Sequence, residues 1–368
     1  MRTVSVIVPC FNEEEVLGAF YERSVAAADA VGGWNHEWIF VNDCSTDRTA
    51  QTLDALSARD ERVKVVHLAR NRGHQVAVTA GLDYAMGDAV VIIDADLQDP
   101  PEVIERMLNL IDEGYDVVHA QRAERRGETK FKLLTAKLFY SILRRIGNVR
   151  VVENAGDFRC VSRPVADTMR AFREPHRFLR GMFAHLGFTQ CVLRYDRDER
   201  FAGESKYPFM KMLRLAADAV FSMSAAPIRA ILWAAAGMWA LGLGYLVYSL
   251  VTYFTVGIEE PGWTSVVFLL TMYTGLILGS IAVIGQYVGR IFEQGQARPL
   301  YWVSAMRNID PDALRGKSVE SKLARRVVTK GSGLASQTEM KVFTVQRPAD
   351  GWSSAIRADQ REPETTSA

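Results

Sequence analysis

Asp94 and Asp96 are the residues of this chain whose type and spacing most plainly suit chemistry. They follow the apolar, β-branched run Val90-Val-Ile-Ile93 and precede Leu97-Gln98-Asp99-Pro100-Pro101-Glu102. The run predicts a buried strand, which the Pro-Pro pair stops before a helix starts. Side chains at i and i+2 of an extended backbone point the same way, so the two carboxylates would face one site. Hard anionic oxygens suit Mg²⁺ or Mn²⁺, which take few protein ligands and leave positions for a substrate's phosphates. A bare Asp-x-Asp is equally a pair of solvated loop acids, and the rest of the chain decides between the two.

The elements needed to position these acids alternate. Thr3–Pro9 is strand-like, Glu13–Val31 reads as a helix with Asn12 as its N-cap, and Glu37–Val41 is a strand. Asp47–Arg59 is a helix opened by Ser45 and Thr46, Val63–His67 a strand, and Gln75–Met86 a helix behind Gly73. After the Asp94 strand come a helix over Pro101–Glu113 and a strand over Tyr115–Ala120. Such a βαβα order predicts an α/β fold with a doubly wound, mostly parallel sheet. Ligands of these sheets sit beyond the carboxyl ends of the strands. Pro9–Glu13, Asn42-Asp43, Arg70–Gly73 and Asp94–Gln98 all fall at such ends.

The chain has 368 residues, 48% of them hydrophobic, enough for one such domain and more. A net charge of +1 gives no support for nucleic-acid binding through a global basic field. The four cysteines are scattered, without CxxC or zinc spacing, and fit reduced thiols. Met1-Arg2-Thr3 leads directly into a strand, so no signal peptide is expected. Ala230–Ile258 and Pro261–Gly289 are long, apolar and free of charge, each exceeding the roughly 20 residues that cross a bilayer core. Arg229, Arg290 and Arg298 flank the pair while Glu259 and Glu260 lie between, which predicts cytoplasmic termini. Trp233, Trp239 and Trp263 suit interfacial anchoring. Two basic amphipathic helices, over 130–146 and 207–226, are expected at the membrane surface. The expected layout is a catalytic domain over 1–206, spans over 227–258 and 261–290, a cytoplasmic segment over 291–315, and a disordered tail over 316–368.

The motifs Val6-Ile-Val-Pro9-Cys-Phe11-Asn-Glu13, Val41-Asn-Asp43-Cys-Ser-Thr-Asp47, Arg70-Asn-Arg-Gly73 and Asp94-Ala-Asp96-Leu-Gln98-Asp99-Pro-Pro101 resemble family-2 glycosyltransferases. Gln121-Arg122, Asp157-Phe-Arg159, Arg177-Phe-Leu-Arg180-Gly181 and Arg200-Phe-Ala-Gly203-Glu-Ser205-Lys206-Tyr207 sharpen the resemblance. With two C-terminal spans it narrows to the polyprenyl-phosphate group, with bactoprenol glucosyltransferases foremost and dolichyl-phosphate mannose synthases as cousins. It covers roughly residues 3–305, and Cys160 departs from the aliphatic residue usual there. It implies a GT-A fold, a nucleotide-sugar donor, a polyprenyl phosphate acceptor, a lipid bilayer as surroundings and a divalent metal. Pro9, Phe11 and Glu13 would line the nucleoside pocket and Asp43 would read base or ribose. Asp94, Asp96 and Gln98 would form the metal group, with Asp94 also at the donor. Arg122, Arg200 and Lys206 would hold the diphosphate or acceptor phosphate, with Ser205 beside them. Asp157 sits where inverting members often place a base, and a catalytic or sugar-positioning role is expected over a structural one.

Displacing a nucleoside diphosphate from an anomeric carbon builds negative charge on the leaving oxygen, which a cation and Arg or Lys donors stabilise. A phosphate acceptor is already ionised, so it needs orienting more than deprotonating, and no obligatory base is assigned. UDP-glucose is the favoured donor and GDP-mannose the alternative. A processive synthase is disfavoured because no Gln-x-x-Arg-Trp run occurs. A non-catalytic scaffold or flippase partner is disfavoured by the complete acidic and basic motifs, and homo-oligomerisation is left open. His74 could touch phosphate or simply start a helix, and the basic run Arg122–Lys132 could be a docking loop or a solvated one. His67, His119 and His185 lack metal-ligand spacing.

Overall fold

The computed structural model describes residues 1–29, 32–123, 152, 155–196, 225–255, 262–310 and 340–345. These fall into two compact units, one formed by the residues up to 196 with 299–310 and 340–345, the other by residues 225–298.

The first unit is an α/β domain. Its elements run β1 (Arg2–Cys10), α1 (Leu17–Asp29), β2 (Trp34–Asn42), α2 (Thr49–Arg59), β3 (Val63–Leu68), α3 (His74–Tyr84), β4 (Ala89–Ile92), α4 (Val103–Asp112) and β5 (Val117–Arg122). They continue with β6 (Ala155–Ser162), α5 (Arg163–Ala171), α6 (Leu179–His185) and β7 (Gln190–Tyr195). Among the described residues the strand order is β8-β3-β2-β1-β4-β6-β5-β7-β9, where β8 is Val303–Arg307 and β9 is Lys341–Val345. Neighbours β3, β2, β1 and β4 are parallel, whereas β6 runs antiparallel between β4 and β5. The sheet is therefore mostly parallel with an antiparallel insertion that the alternation up to Ala120 did not foretell.

Burial follows the two-residue period of the strands. Val4, Val6 and Val8 of β1 and Trp38 and Phe40 of β2 pack toward Leu17, Phe20, Leu53 and the apolar face of α4. Ile7, Ile39, Val41, Val90 and Ile92 face the opposite layer, with Ala77 and Leu82 of α3, Met169 of α5 and Phe183 of α6. A central strand covered on both faces is largely apolar, and the buried polar residues Ser5 of β1 and Glu37 of β2 are hydrogen-bonded to each other. Cys160 lies inside the first of these layers, buried, where desolvation pushes its thiol up.

The chain comes back to this sheet after its apolar helices, so the unit that holds the sheet is not confined to 1–206. Strand β8 pairs antiparallel with β3, Tyr301 donates a hydrogen bond to Asp83 (2.7 Å), and Asn308 donates to the carbonyls of Ser57 and Val63. Within the stretch expected to be disordered, Lys341–Val345 forms β9, pairs parallel with β7 and sets Phe343 edge-on to Tyr115. A five-residue alternating segment gains little structure alone and gains its order from the ladder and that ring contact.

The second unit is a pair of helices, α7 (Ala226–Thr255) and α8 (Trp263–Gly295), both long and apolar enough to cross a membrane. Large side chains such as Leu232, Trp233, Trp239, Phe268 and Ile291 are more than half exposed, the reverse of a soluble core. At Gly242 any side chain would collide with the Tyr273 hydroxyl, which donates to the Met238 carbonyl. The amphipathic helix expected over 130–146, nearly all of the one over 207–226, the Glu259-Glu260 turn and the tail apart from 340–345 lie outside the described residues.

Candidate active site

The loops after β1 and β2 are joined at the carboxyl edge of the sheet. Asn12 does not cap α1, which begins only at Leu17. Instead its Oδ1 accepts the Thr46 N–H (2.9 Å) and its own N–H donates to Ser45 Oγ (3.1 Å). The Glu13 N–H donates to Thr49 Oγ1 (2.8 Å), and Asp47 accepts the Thr49 N–H. Asn12, Cys44 and Leu97 have φ near +57° to +59°, one in each of three edge loops. Asn tolerates that region, but Cys and Leu hold it only where surrounding structure imposes it, a pattern that clusters at functional sites. Phe11 is half exposed beside buried Pro9, as a stacking platform requires.

Asp43 is buried at the end of β2. Its two carboxylate oxygens accept the N–H groups of Arg72 and Gly73, both at 2.7 Å. Burial raises its pKa, and those N–H donors oppose the shift. Gly73, at φ +84°, makes the turn that brings this backbone back to Asp43 and starts α3 at His74. The expected base-reading carboxylate thus also organises the Arg70–Gly73 loop.

The acidic motif departs from the strand geometry expected of it. Strand β4 ends at Ile92, so Asp94 and Asp96 occupy a turn, where Asp96 Oδ1 accepts the Gln98 N–H (3.1 Å). The side chain closes its own turn because Leu97 adopts a positive φ. The carboxylates still act on one another. Burial, together with repulsion from Asp157, Asp99 and Asp96, raises Asp94 to about 6 against the pull of His74.

Opposite Asp94 stands Asp157, near the start of β6. Arg180 grips its carboxylate at both oxygens (2.9 and 3.1 Å), His74 Nε2 lies 3.2 Å away, and Nη2 of buried Arg159 lies 3.5 Å away. Burial works against the charge, but His74 and Arg180 outweigh it and hold the acid well below the usual carboxylate range. A carboxylate so held is a weak proton acceptor and a strong fixed charge. His74 Nδ1 is 3.8 Å from Asp94 Oδ1, and although burial opposes protonation, Asp157 and Asp94 raise the imidazole's pKa. Arg159 lies over the Phe183 ring, and burial lowers it to about 10.

Arg122, at the end of β5, lies 3.7 Å from buried Asp99, which also accepts a hydrogen bond from the Tyr195 hydroxyl. Burial disfavours the guanidinium charge, and Asp99 and Asp94 restore it. A side chain at Gly156 would press on Arg122 Nη2 at 3.2 Å. Asp94, Asp96, Asp157 and Arg122 therefore share one electrostatic site, and Glu13 and Asp94 both act on Cys10 between them. Arg200, Ser205 and Lys206 lie outside the described residues. The roles of His74, Arg159 and Arg180 were not assigned from sequence, although two of them stand in motifs singled out there. His67 is paired with Asn42 and Asp54, and His119 with Gln190, burial pushing His119 down to about 4.

Among the described residues no group of three His, Cys, Asp or Glu side chains converges as a cation cage. Two carboxylates with an amide oxygen from Gln98 still match a hard cation whose remaining positions go to phosphate. Mutual repulsion at Asp94 is the imbalance such a cation relieves.

The profile of glycosyl transferase family 2 matches residues 5–170. An uncharacterized glycosyltransferase of Bacillus subtilis, YkcC, is 42% identical over 308 residues, 83% of this chain and 94% of its own. The bactoprenol glucosyl transferase of Shigella phage SfX is 34% identical over 306 residues, 83% of this chain and 99% of its own. Among solved structures, mannosyl-3-phosphoglycerate synthase from Rubrobacter xylanophilus is 19% identical, covering 60% of this chain and 72% of its own at a TM-score of 0.42.

Proposed function

The chain belongs to glycosyl transferase family 2 and is a glycosyltransferase, and from that premise we propose that it moves glucose from UDP-glucose to a polyprenyl phosphate at the cytoplasmic face of the plasma membrane. The observation that carries this reading is the meeting of Asp94, Asp96, Asp157, His74 and Arg122 at the carboxyl edge of the sheet, in a chain with two bilayer-length apolar helices. Relatives named bactoprenol glucosyl transferases over nearly their full length support the acceptor and sugar.

Pro9, Phe11, Glu13 and Asp43 hold the nucleoside, with Asp43 keeping the Arg70–Gly73 loop against it. Asp94, Asp96 and Gln98 would hold Mg²⁺ or Mn²⁺. When bound, that cation supplies positive charge to the diphosphate. Arg122, fixed by Asp99 and Tyr195, donates to diphosphate oxygens as negative charge grows on the leaving group. Arg200, Ser205 and Lys206 orient the acceptor phosphate, whose oxygen attacks the anomeric carbon as UDP departs. Asp157 stays ionised and fixes the sugar, because Arg180 and His74 deprive it of basicity. A single displacement inverts the centre, giving a β-linked product from an α-linked donor.

Membranes containing the full-length protein should be incubated with a panel of labelled nucleotide-sugars. UDP-glucose should label an organic-extractable lipid with β-anomeric NMR signals. Label from GDP-mannose alone would replace the donor, and an α product would require a different mechanism.

A further inference from the structure

The first residues of α3 gather parts of the domain that are far apart in sequence. The Gly73 N–H donates to Asp43, the His74 ring lies between Asp94 and Asp157, and Gln75 Oε1 accepts the Leu179 N–H at the start of α6 (2.9 Å). Strands β4 and β6 are antiparallel with Ile92 opposite Arg159 at the end of β4, and Asp94 and Asp157 each lie two residues from that pair. The two carboxylates repel one another. His74 Nε2 is 3.2 Å from Asp157 Oδ2, its Nδ1 is 3.8 Å from Asp94 Oδ1, and Arg180 donates to both oxygens of Asp157.

We infer that His74 is a positioning residue of the transfer reaction, its imidazole tying the Asp157 carboxylate to the strand end that carries Asp94. Arg180 fixes Asp157 from the side of α6, whereas His74 fixes it from the side of α3, where Gly73 already binds Asp43. The nucleoside end of the site and the sugar end are thereby set by adjacent residues of one helix start. Without the imidazole, Asp157 can shift with Arg180 and Arg159 while Asp94 stays in the turn after β4. The sugar would then be held out of line with the attacking oxygen, and a small displacement of that kind lowers rate more than affinity. This inference rests on the proposed reading that Asp94 and Asp157 belong to the transfer site.

The test uses full-length enzyme in membranes, UDP-glucose and polyprenyl phosphate, with His74→Gln, His74→Asn and His74→Met. Gln sets an amide N–H where Nε2 stands, Asn sets one where Nδ1 stands, and Met fills a similar volume without a donor. His74→Met should lower kcat at least about tenfold, the scale of losing one partner of a close, buried ion pair. KM for UDP-glucose should change by less than about threefold, because the lost interaction is made at the reacting end. His74→Gln should recover most of kcat and His74→Asn little. His74→Met added to Asp157→Asn should cost almost nothing further, since His74 acts through the Asp157 carboxylate that is already gone. Parental kcat in His74→Met, equal rates for Gln and Met, or losses that multiply in the double variant would each overturn the inference. Gln and Met match in size, so any common loss of folded protein cancels in their ratio. Full transfer by Asp157→Asn and Asp94→Asn would sink the functional reading and this inference together. Loss in those two with His74→Met unaffected would sink this inference alone.

Discussion

Replacing Asp157 by Asn keeps the shape of the side chain and removes the charge on which three cations converge. The carboxylate is 14% exposed and accepts two hydrogen bonds from Arg180, with His74 at 3.2 Å and Arg159 at 3.5 Å. Arg159 is 2% exposed and cannot turn to water, whereas Arg180 is one-third exposed and can. Removing one partner of a buried ion pair costs about 3–5 kcal/mol, and rehydration of Arg180 argues for the lower end, about 3 kcal/mol. For a domain of this size that corresponds to a fall in Tm of roughly 6–12 °C. The pH dependence has a definite sign. A carboxylate whose folded pKa is depressed stabilises the protein above its unfolded pKa, near 4, and loses that contribution as pH falls toward the folded value. The parent and Asp157→Asn should therefore differ most from about pH 5 to 6.5, the gap narrowing above that as His74 loses its proton and closing below about pH 4. Thermal unfolding of the full-length protein in micelles, followed by tryptophan fluorescence, measures both. A variant that melts within about 1 °C of the parent at neutral pH would refute the ion-pair assignment.

Asp94→Asn should abolish transfer yet melt no lower than the parent at pH 8, because a raised acid costs stability once it ionises; the two should match near pH 4. A lower Tm at pH 8 would contradict this. Asp43→Ala should raise KM for UDP-glucose about tenfold by freeing the Arg72 and Gly73 N–H groups, and steady-state kinetics decides it. Tyr301→Phe should lower stability by about 1 kcal/mol, through the lost bond to Asp83, and leave kcat unchanged. Transfer should cease in chelator and return with Mg²⁺ or Mn²⁺, and full activity in chelator would remove the metal from the mechanism.

Much of the first half of the domain was legible because the strands from β1 to β4 are rich in apolar, β-branched residues and α4 carries a periodic apolar face. The bilayer-length helices were legible for the same local reason. What remained hidden depends on partners distant in the chain. Strand β8 pairs with β3 from across both apolar helices, and β9 is a short alternating segment within polar sequence. Nothing local announces that β6 enters between β4 and β5, and that insertion is what brings Asp157 to the edge where Asp94 follows β4. His74 stayed open between a phosphate contact and a helix start because its two carboxylate partners come from the turn after β4 and from β6. The Asp-x-Asp spacing located the site, but the strand argument for its geometry gave way to a turn that Asp96 closes itself.

The central claim is sugar transfer to a lipid phosphate through the acidic turn. Purified full-length protein reconstituted in vesicles should be given UDP-[¹⁴C]glucose, polyprenyl phosphate and Mn²⁺, beside an Asp96→Asn variant that melts at the same temperature. The account predicts one lipid-soluble radioactive product that requires both the acceptor and Mn²⁺ and is absent with Asp96→Asn. Equal label in the lipid fraction from parent and variant, or none from the parent with any nucleotide-sugar, would contradict it.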